Sequence, residues 1–203
     1  MNKLSGVLLA ATLMLSSVAG HADEFLKSIK DFSLLDQLHN NHTLDEYTDR
    51  DYIVMYIHGS GCPIARLSVP AYKEIADKYR DKNIAFLMLN SFIQDDLKRI
   101  EMEAAEFKIS FPILKDEDQT VAKSLGVERT AEVFIIDPRT KEVLFRGPIN
   151  DSLGYETQRA QAENHYLTGA LDTILAGGTV DMDDIPDSKG CLVGYFHPAV
   201  TGL

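Results

Sequence analysis

The chain has 203 residues, 45% hydrophobic and 25% charged, and a formal net charge of −11. That length holds one domain with a full core, and the balance is that of a globular protein rather than a disordered or collagen-like one. The acidic excess repels a phosphate backbone, so no nucleic-acid partner is expected.

Lys3 precedes an uncharged run from Val7 to Val18, and Gly20 and Ala22 stand ahead of Asp23 and Glu24. This is the layout of a cleavable secretory signal over residues 1–22, cut after Ala22, and the run is too short for a stable membrane span. The mature protein is expected to be secreted or periplasmic, with a domain over residues 23–178 and a tail over 179–203. Thiols tend to pair in an oxidising compartment. Cys62 and Cys191 are the only two cysteines, and a bridge between them closes a loop worth about 4–5 kcal/mol in the chain-entropy picture.

Phe25 to Ile29 and Phe32 to Asp36 read as an entry segment and a short strand, reversing at Asn40-Asn41, after which Thr43 caps a helical turn through Tyr47. Tyr52 to Ile57 reads as a buried strand, Gly59 to Gly61 as a turn, and Leu67, Val69, Tyr72, Ile75, Ala76 and Tyr79 as the apolar face of a helix that follows Cys62. The thiol then stands at the positive end of a helix, where free N–H groups and the dipole favour thiolate. Ile84 to Leu89 predicts a second buried parallel strand, and Asp95 to Phe107 an amphipathic helix. Such alternation argues for parallel strands joined by right-handed crossovers. Phe111 to Val127 gives a short extended piece, an acidic turn and a helix stopped by Gly126. The stretch from Glu128 to Pro138 carries a strand that turns at Asp137 to Thr140 into Glu142 to Arg146, a hairpin at the sheet edge. Gly147 to Gln158 is an exposed loop near the mouth of the site, and Ala160 to Ala176 is a closing helix ended by Gly177-Gly178. Thr179 to Leu203 is an acidic, flexible tail that carries Cys191.

Cys62-Pro63-Ile64-Ala65-Arg66, with Pro70 further along the helix, resembles the redox segment of the thioredoxin fold, which has a Cys-x-x-Cys, a basic residue and then a kinking proline. Alanine replaces the second cysteine, so Cys62 has no local disulfide partner. A helix-interior proline costs about 3 kcal/mol unless the fold uses the kink, which makes its position informative. Phe111-Pro112, the acidic turn and the helix ending in Gly126-Val127 resemble the matching stretch of peroxiredoxins and thiol-disulfide oxidoreductases. Thr130-Ala131 stands where thioredoxin-like proteins carry a Thr-Pro with a cis peptide; cis before alanine costs about 3 kcal/mol, so a trans bond is expected. The resemblance covers about Phe32 to Ala176. It implies an α/β thioredoxin-like fold of the exported redoxin, or peroxiredoxin-like (AhpC/TSA-type), group: a central mixed β-sheet flanked by helices, with a C-terminal tail.

The chemistry this resemblance implies is attack by Cys62 on a peroxide or a disulfide, with Cys191 as resolving thiol. Peroxiredoxins hold an arginine beside the reactive sulfur, and Arg66 and Arg129 are the candidates here. Their threonine three residues before the cysteine is Gly59 in this chain, which counts against efficient peroxidase activity. The partners expected are a small-molecule peroxide or a thiol donor, protein or small molecule, and the thiol chemistry itself needs no cofactor. Two other readings stay open. Cys62, Cys191, His58 and His197 would make a soft site suited to copper delivery, and a permanent Cys62–Cys191 disulfide would make a non-catalytic domain. The enzyme reading requires a Cys62 sulfur that faces the first-turn amides and can be reached. No phosphate-cradling glycine loop, Gly-x-Ser-x-Gly or His-Glu-x-x-His occurs, so nucleotide and hydrolase readings have no basis.

Overall fold

A computed structural model describes residues 28–155 and 158–196; the signal expected over residues 1–22 and the candidate ligand His197 lie outside the described residues. Strand β3 (Tyr52–His58) is nearly all apolar and buried at every position after Tyr52. A strand buried on both faces belongs at the middle of a sheet covered on both sides. The sheet has five strands in the order β5-β4-β3-β6-β7. Strand β4 (Ile84–Asn90) is parallel to β3, and β5 (Ile113–Lys115) is parallel to β4. On the other side β6 (Glu132–Ile136) is antiparallel to β3, and β7 (Val143–Pro148) is antiparallel to β6, with a bulge between Ile135 and Ile136. The mixed sheet and the edge hairpin match the expectation from sequence.

Side chains of β3 alternate between two core layers, as the period of a strand dictates. Val54 and Tyr56 pack with residues of α1 (Pro63–Lys78), α2 (Leu97–Glu106) and α4 (Tyr166–Leu175). Ile53, Met55 and Ile57 pack with α3 (Thr120–Leu125) on the opposite face. A separate hairpin pairs β1 (Ser33–Leu35) with β2 (Asn41–Thr43), and the buried Asp36 carboxylate closes its turn on the N–H groups of Leu38 and Asn40. Thr43 and Glu46 then form the capping box of a 3-10 turn over Leu44–Tyr47.

Two elements differ from the sequence expectation. Leu67 is half exposed, at 49%, rather than on the buried stripe of α1. The closing helix begins at Tyr166 and not at Ala160, because the preceding residues are held by Asp151, whose carboxylate accepts the N–H groups of Glu163 and Asn164 and pairs with Arg159. Among the described residues, no helix is long and apolar enough to cross a membrane.

Tyr72 joins the layers. Its buried hydroxyl lies 2.9 Å from the carbonyl oxygens of both Val54 and Leu87, linking α1 to the two central strands. Tyr72→Phe is expected to lower the unfolding free energy by about 1–2 kcal/mol in urea titration, the usual cost of a buried hydrogen bond.

Candidate active site

The chain leaves β3 at His58 and turns through Gly59, Ser60 and Gly61, so that Cys62 becomes the N-cap of α1 with Pro63 in the first turn. Two buried carboxylates fix this turn. Asp95 accepts the Ser60 N–H at 2.8 Å, and Glu103 of α2 accepts the Gly61 N–H at 2.9 Å. Both are charge-paired, Glu103 with Arg66 at 2.9 Å and Asp95 with Arg99 at 3.2 Å. Asn90 donates one amide hydrogen to Asp95 and the other to His58 Nδ1, which turns His58 Nε2 toward Glu103 at 3.5 Å. Burial raises the Glu103 pKa, but bonds from His58, Arg66 and the Gly61 N–H outweigh it and bring the group down to about 2.

The tail does not hang free as expected from its sequence. Residues 190–193 lie extended and antiparallel to residues 128–130 as a strap across the end of the sheet. The Thr130 N–H donates to the Cys191 carbonyl and the Val193 N–H to the Glu128 carbonyl, each at 2.9 Å. Buried Gln119 fastens the strap further on, reaching the Gly194 carbonyl and the Phe196 N–H at 2.7 Å. Gly190 permits the close approach: a Cβ there would lie 1.8 Å from the Thr130 oxygen.

This docking brings the cysteines together, with Cys191 Sγ 2.7 Å from Cys62 Sγ. The Thr130 hydroxyl sits between the two segments. It accepts the Cys191 N–H at 2.9 Å and lies 3.0 Å from Cys62 Sγ, so its own proton is free to donate to that sulfur. The same side chain explains Gly59, since a Cβ at that position would meet the Thr130 methyl at 2.6 Å. A hydroxyl that the family pattern puts three residues before the cysteine thus arrives here from the turn that leads into β6. No cis peptide occurs among the described residues; the turn into β6 is made by Ala131 in the left-handed region, φ 60°, a conformation costing alanine roughly 1 kcal/mol.

The sulfurs are electrostatically unlike. Burial pushes the Cys62 thiol up, but bonds from Cys191, Thr130 and the Ala65 N–H more than offset that and hold it below the ordinary thiol value. Cys191 is pushed up to about 11, by burial and by Cys62 beside it. Of the two, Cys62 is the readier to ionise and Cys191 the readier to keep its proton. Cys62 is only 5% exposed, whereas Cys191 is exposed. The sulfur expected to be open to solvent is covered.

Neither arginine hydrogen-bonds Cys62 among the described residues. Arg66 is spent on Glu103, and Arg129 reaches Tyr155 at 2.7 Å and the Gly190 carbonyl at 3.3 Å. The two ring nitrogens of His58 face Asn90 and Glu103 instead of the sulfurs, and no three His, Cys, Asp or Glu side chains are grouped to hold a metal among the described residues. Of the copper set drawn from the sequence, Cys62 and Cys191 lie together, His58 turns both ring nitrogens away from them, and His197 lies outside the described residues. The loop after β7 does flank the site: Ile149, Asn150 and Leu153 line a narrow pocket with Ile64, Ala131 and Lys189. A wider cleft of about 610 Å³, between the β1 segment, Asp96-Leu97 and the start of α3, contains neither cysteine.

Asp95, Glu103, Asn90 and Gln119 were not singled out from sequence. A signal for Glu103 existed, for it stands three residues after Ile100 and four before Phe107, on the apolar stripe of α2.

Gly190→Ala is expected to lift the strap and speed alkylation of Cys62 about tenfold or more, the change for roughly 1.4 kcal/mol of lost docking. Glu103→Ala strands the Gly61 N–H and Arg66, and about 2–3 kcal/mol of stability should be lost in urea titration. Because the folded Glu103 pKa is depressed, its contribution is present above the unfolded value of about 4.3 and is lost as pH falls toward 2. The variant and the parent should therefore converge in stability across that acid range.

The model of the AhpC/TSA family matches residues 26–143. No curated protein matches the chain. Among solved structures, a hypothetical protein from Sinorhizobium meliloti is 26% identical over 85% of this chain and 94% of its own, with a TM-score of 0.73. Peroxidoxin BcpB from Mycobacterium tuberculosis is 18% identical over 73% of this chain and 94% of its own, with a TM-score of 0.55. A protein described as thiol:disulfide interchange protein DsbE, from Chlorobium tepidum, is 21% identical over 60% of this chain and 83% of its own, with a TM-score of 0.50. At those identities the last two speak for the thioredoxin-like fold alone. With a family match over more than half its length, a mixed sheet of that fold and a cysteine capping the first helix, the chain belongs to the AhpC/TSA family.

Proposed function

We propose that the protein is a thiol–disulfide oxidoreductase that cycles Cys62 and Cys191 between a dithiol and a disulfide. The observation that supports this reading is the 2.7 Å approach of two free thiols across the strap. Their acidities are pushed apart, which gives the pair a nucleophile and a proton-bearing partner.

In the oxidising half-cycle the strap lifts and the Cys62 thiolate attacks one sulfur of an acceptor disulfide, expelling the other as a thiolate. Cys191 then loses its proton, and its sulfur attacks Cys62 Sγ and expels the second acceptor thiolate. Two electrons have passed to the acceptor, and the Cys62–Cys191 bond has formed. Thr130 holds Cys62 as thiolate before attack. Peroxide is the weaker acceptor in this reading, because neither Arg66 nor Arg129 is directed at Cys62 to bind the peroxide oxygens.

Export belongs to the same proposal. The signal-like layout of residues 1–22 would deliver the chain to a compartment where a cysteine pair is oxidised and must be reduced again to turn over. The donor is then a thiol, protein or small molecule.

Turnover of a small disulfide with dithiothreitol should fall at least about 100-fold in Cys62→Ser, as expected for loss of an attacking group. Alkylation after mild reduction should show Cys62 titrating below the ordinary thiol value of about 8.5, so that its rate rises with pH and levels off early. Cys191→Ala removes a donor to that thiolate and should move the midpoint upward. A bridge that mild reductant leaves closed, or a Cys62 inert near neutral pH, overturns the proposal in favour of a structural staple.

A further inference from the structure

We infer that the cleft between the β1 segment, Asp96-Leu97 and the start of α3 is a binding site for a small organic cation, a molecule with an alkyl or aryl body and one ammonium group. The cleft contains neither cysteine, and the site does not depend on the redox cycle proposed above.

Its shape and floor suit an apolar body. At about 610 Å³ the cleft has the size of pockets that hold small molecules. Phe32 and Val121 of the buried core line it, while Leu35, 40% exposed, and half-buried Leu97 leave apolar surface open to solvent. Removing that surface from water is what an alkyl or aryl group gains by entering.

Charge selects the head group. The lining holds five carboxylates and one ammonium. Three of the acids are already engaged: Asp31 pairs with Lys141 at 2.7 Å, Glu117 lies 3.5 Å from Lys115, and buried Asp116 takes the Ser91 hydroxyl and the N–H groups of Val121 and Ala122. Lys115, the one cation of the lining, is buried and donates to the Phe92 carbonyl. Asp96 and Asp118 are both exposed, and neither meets a cation among the described residues. Asp96 accepts the Arg99 N–H through Oδ1 and keeps Oδ2 free for a ligand. The two stand on different elements, Asp96 at the start of α2 and Asp118 on the turn before α3. An apolar floor edged by unpaired carboxylates attracts a cation and rejects an anion of the same body. No three His, Cys, Asp or Glu side chains are grouped to hold a metal ion among the described residues, so the charge that suits these acids is that of an ammonium group.

Isotope-labelled full-length protein is titrated with hexylammonium chloride and followed by amide NMR. The expected result is a saturable set of shifts centred on residues 33–35, 96–97 and 115–121. Hexanoate, with the same alkyl body and the opposite charge, and methylammonium, with the charge and no body, should each bind at least about fivefold more weakly. Asp96→Asn combined with Asp118→Asn keeps the helix cap and the shape of the cleft, and should weaken hexylammonium about fivefold. Shifts that do not saturate or that centre elsewhere, equal binding of hexanoate or of methylammonium, or full affinity in the double variant overturns the site. All of these outcomes leave the redox cycle standing.

Discussion

The hydroxyl of Thr130 is the point on which both halves of the site depend. It accepts the backbone N–H of Cys191 and offers its proton to Cys62, while the Thr130 N–H donates to the Cys191 carbonyl. One residue therefore sets the distance between two sulfurs 129 positions apart in sequence and decides which of them holds the charge. Neutral donors around a partly buried thiolate act strongly, because the surroundings screen them little.

A negative sulfur at this place has unfavourable neighbours. Asp95 and Glu103, both buried, hold the turn that precedes Cys62, and an unpaired carboxylate so near would push thiolate chemistry out of reach. Arg66 and Arg99 balance the two acids, and His58 Nε2 lies 3.5 Å from Glu103. Of the two cations that the family pattern suggests for the sulfur, Arg66 is consumed in holding this loop and Arg129 in holding the strap at Gly190. In this chain, placement of the thiol comes from carboxylates on backbone amides, and its acidity comes from Cys191, Thr130 and the Ala65 N–H.

The parts of the fold that were legible in the sequence are those governed by local period. Tyr52 to Ile57 and Ile84 to Leu89 are continuous apolar runs, which suit strands in the middle of a sheet covered on both faces. Cys62 at the helix start was readable from the glycine turn before it and the apolar face after it. What the sequence hid was long-range. Nothing local says that Gly190 lets the tail lie on Thr130, that Gln119 catches its far end, or that Asp151 withholds residues before Tyr166 from the last helix. Arg129 was expected beside Cys62 from the resemblance to peroxiredoxins, and its direction depends on Tyr155 and Gly190, which no pattern around it encodes.

In the proposed cycle, the fastening of the strap at Gln119 also bears on how readily the pair gives up electrons. A cysteine held beside its partner by hydrogen bonds on both sides behaves as if present at very high effective molarity, which favours the closed bond. Each 1.4 kcal/mol of such preference makes the couple more reducing by about 30 mV. In the proposed cycle, side chains remote from either sulfur, Gln119 among them, would thereby tune the redox poise, and loosening the anchor would turn a stable bridge into a better oxidant.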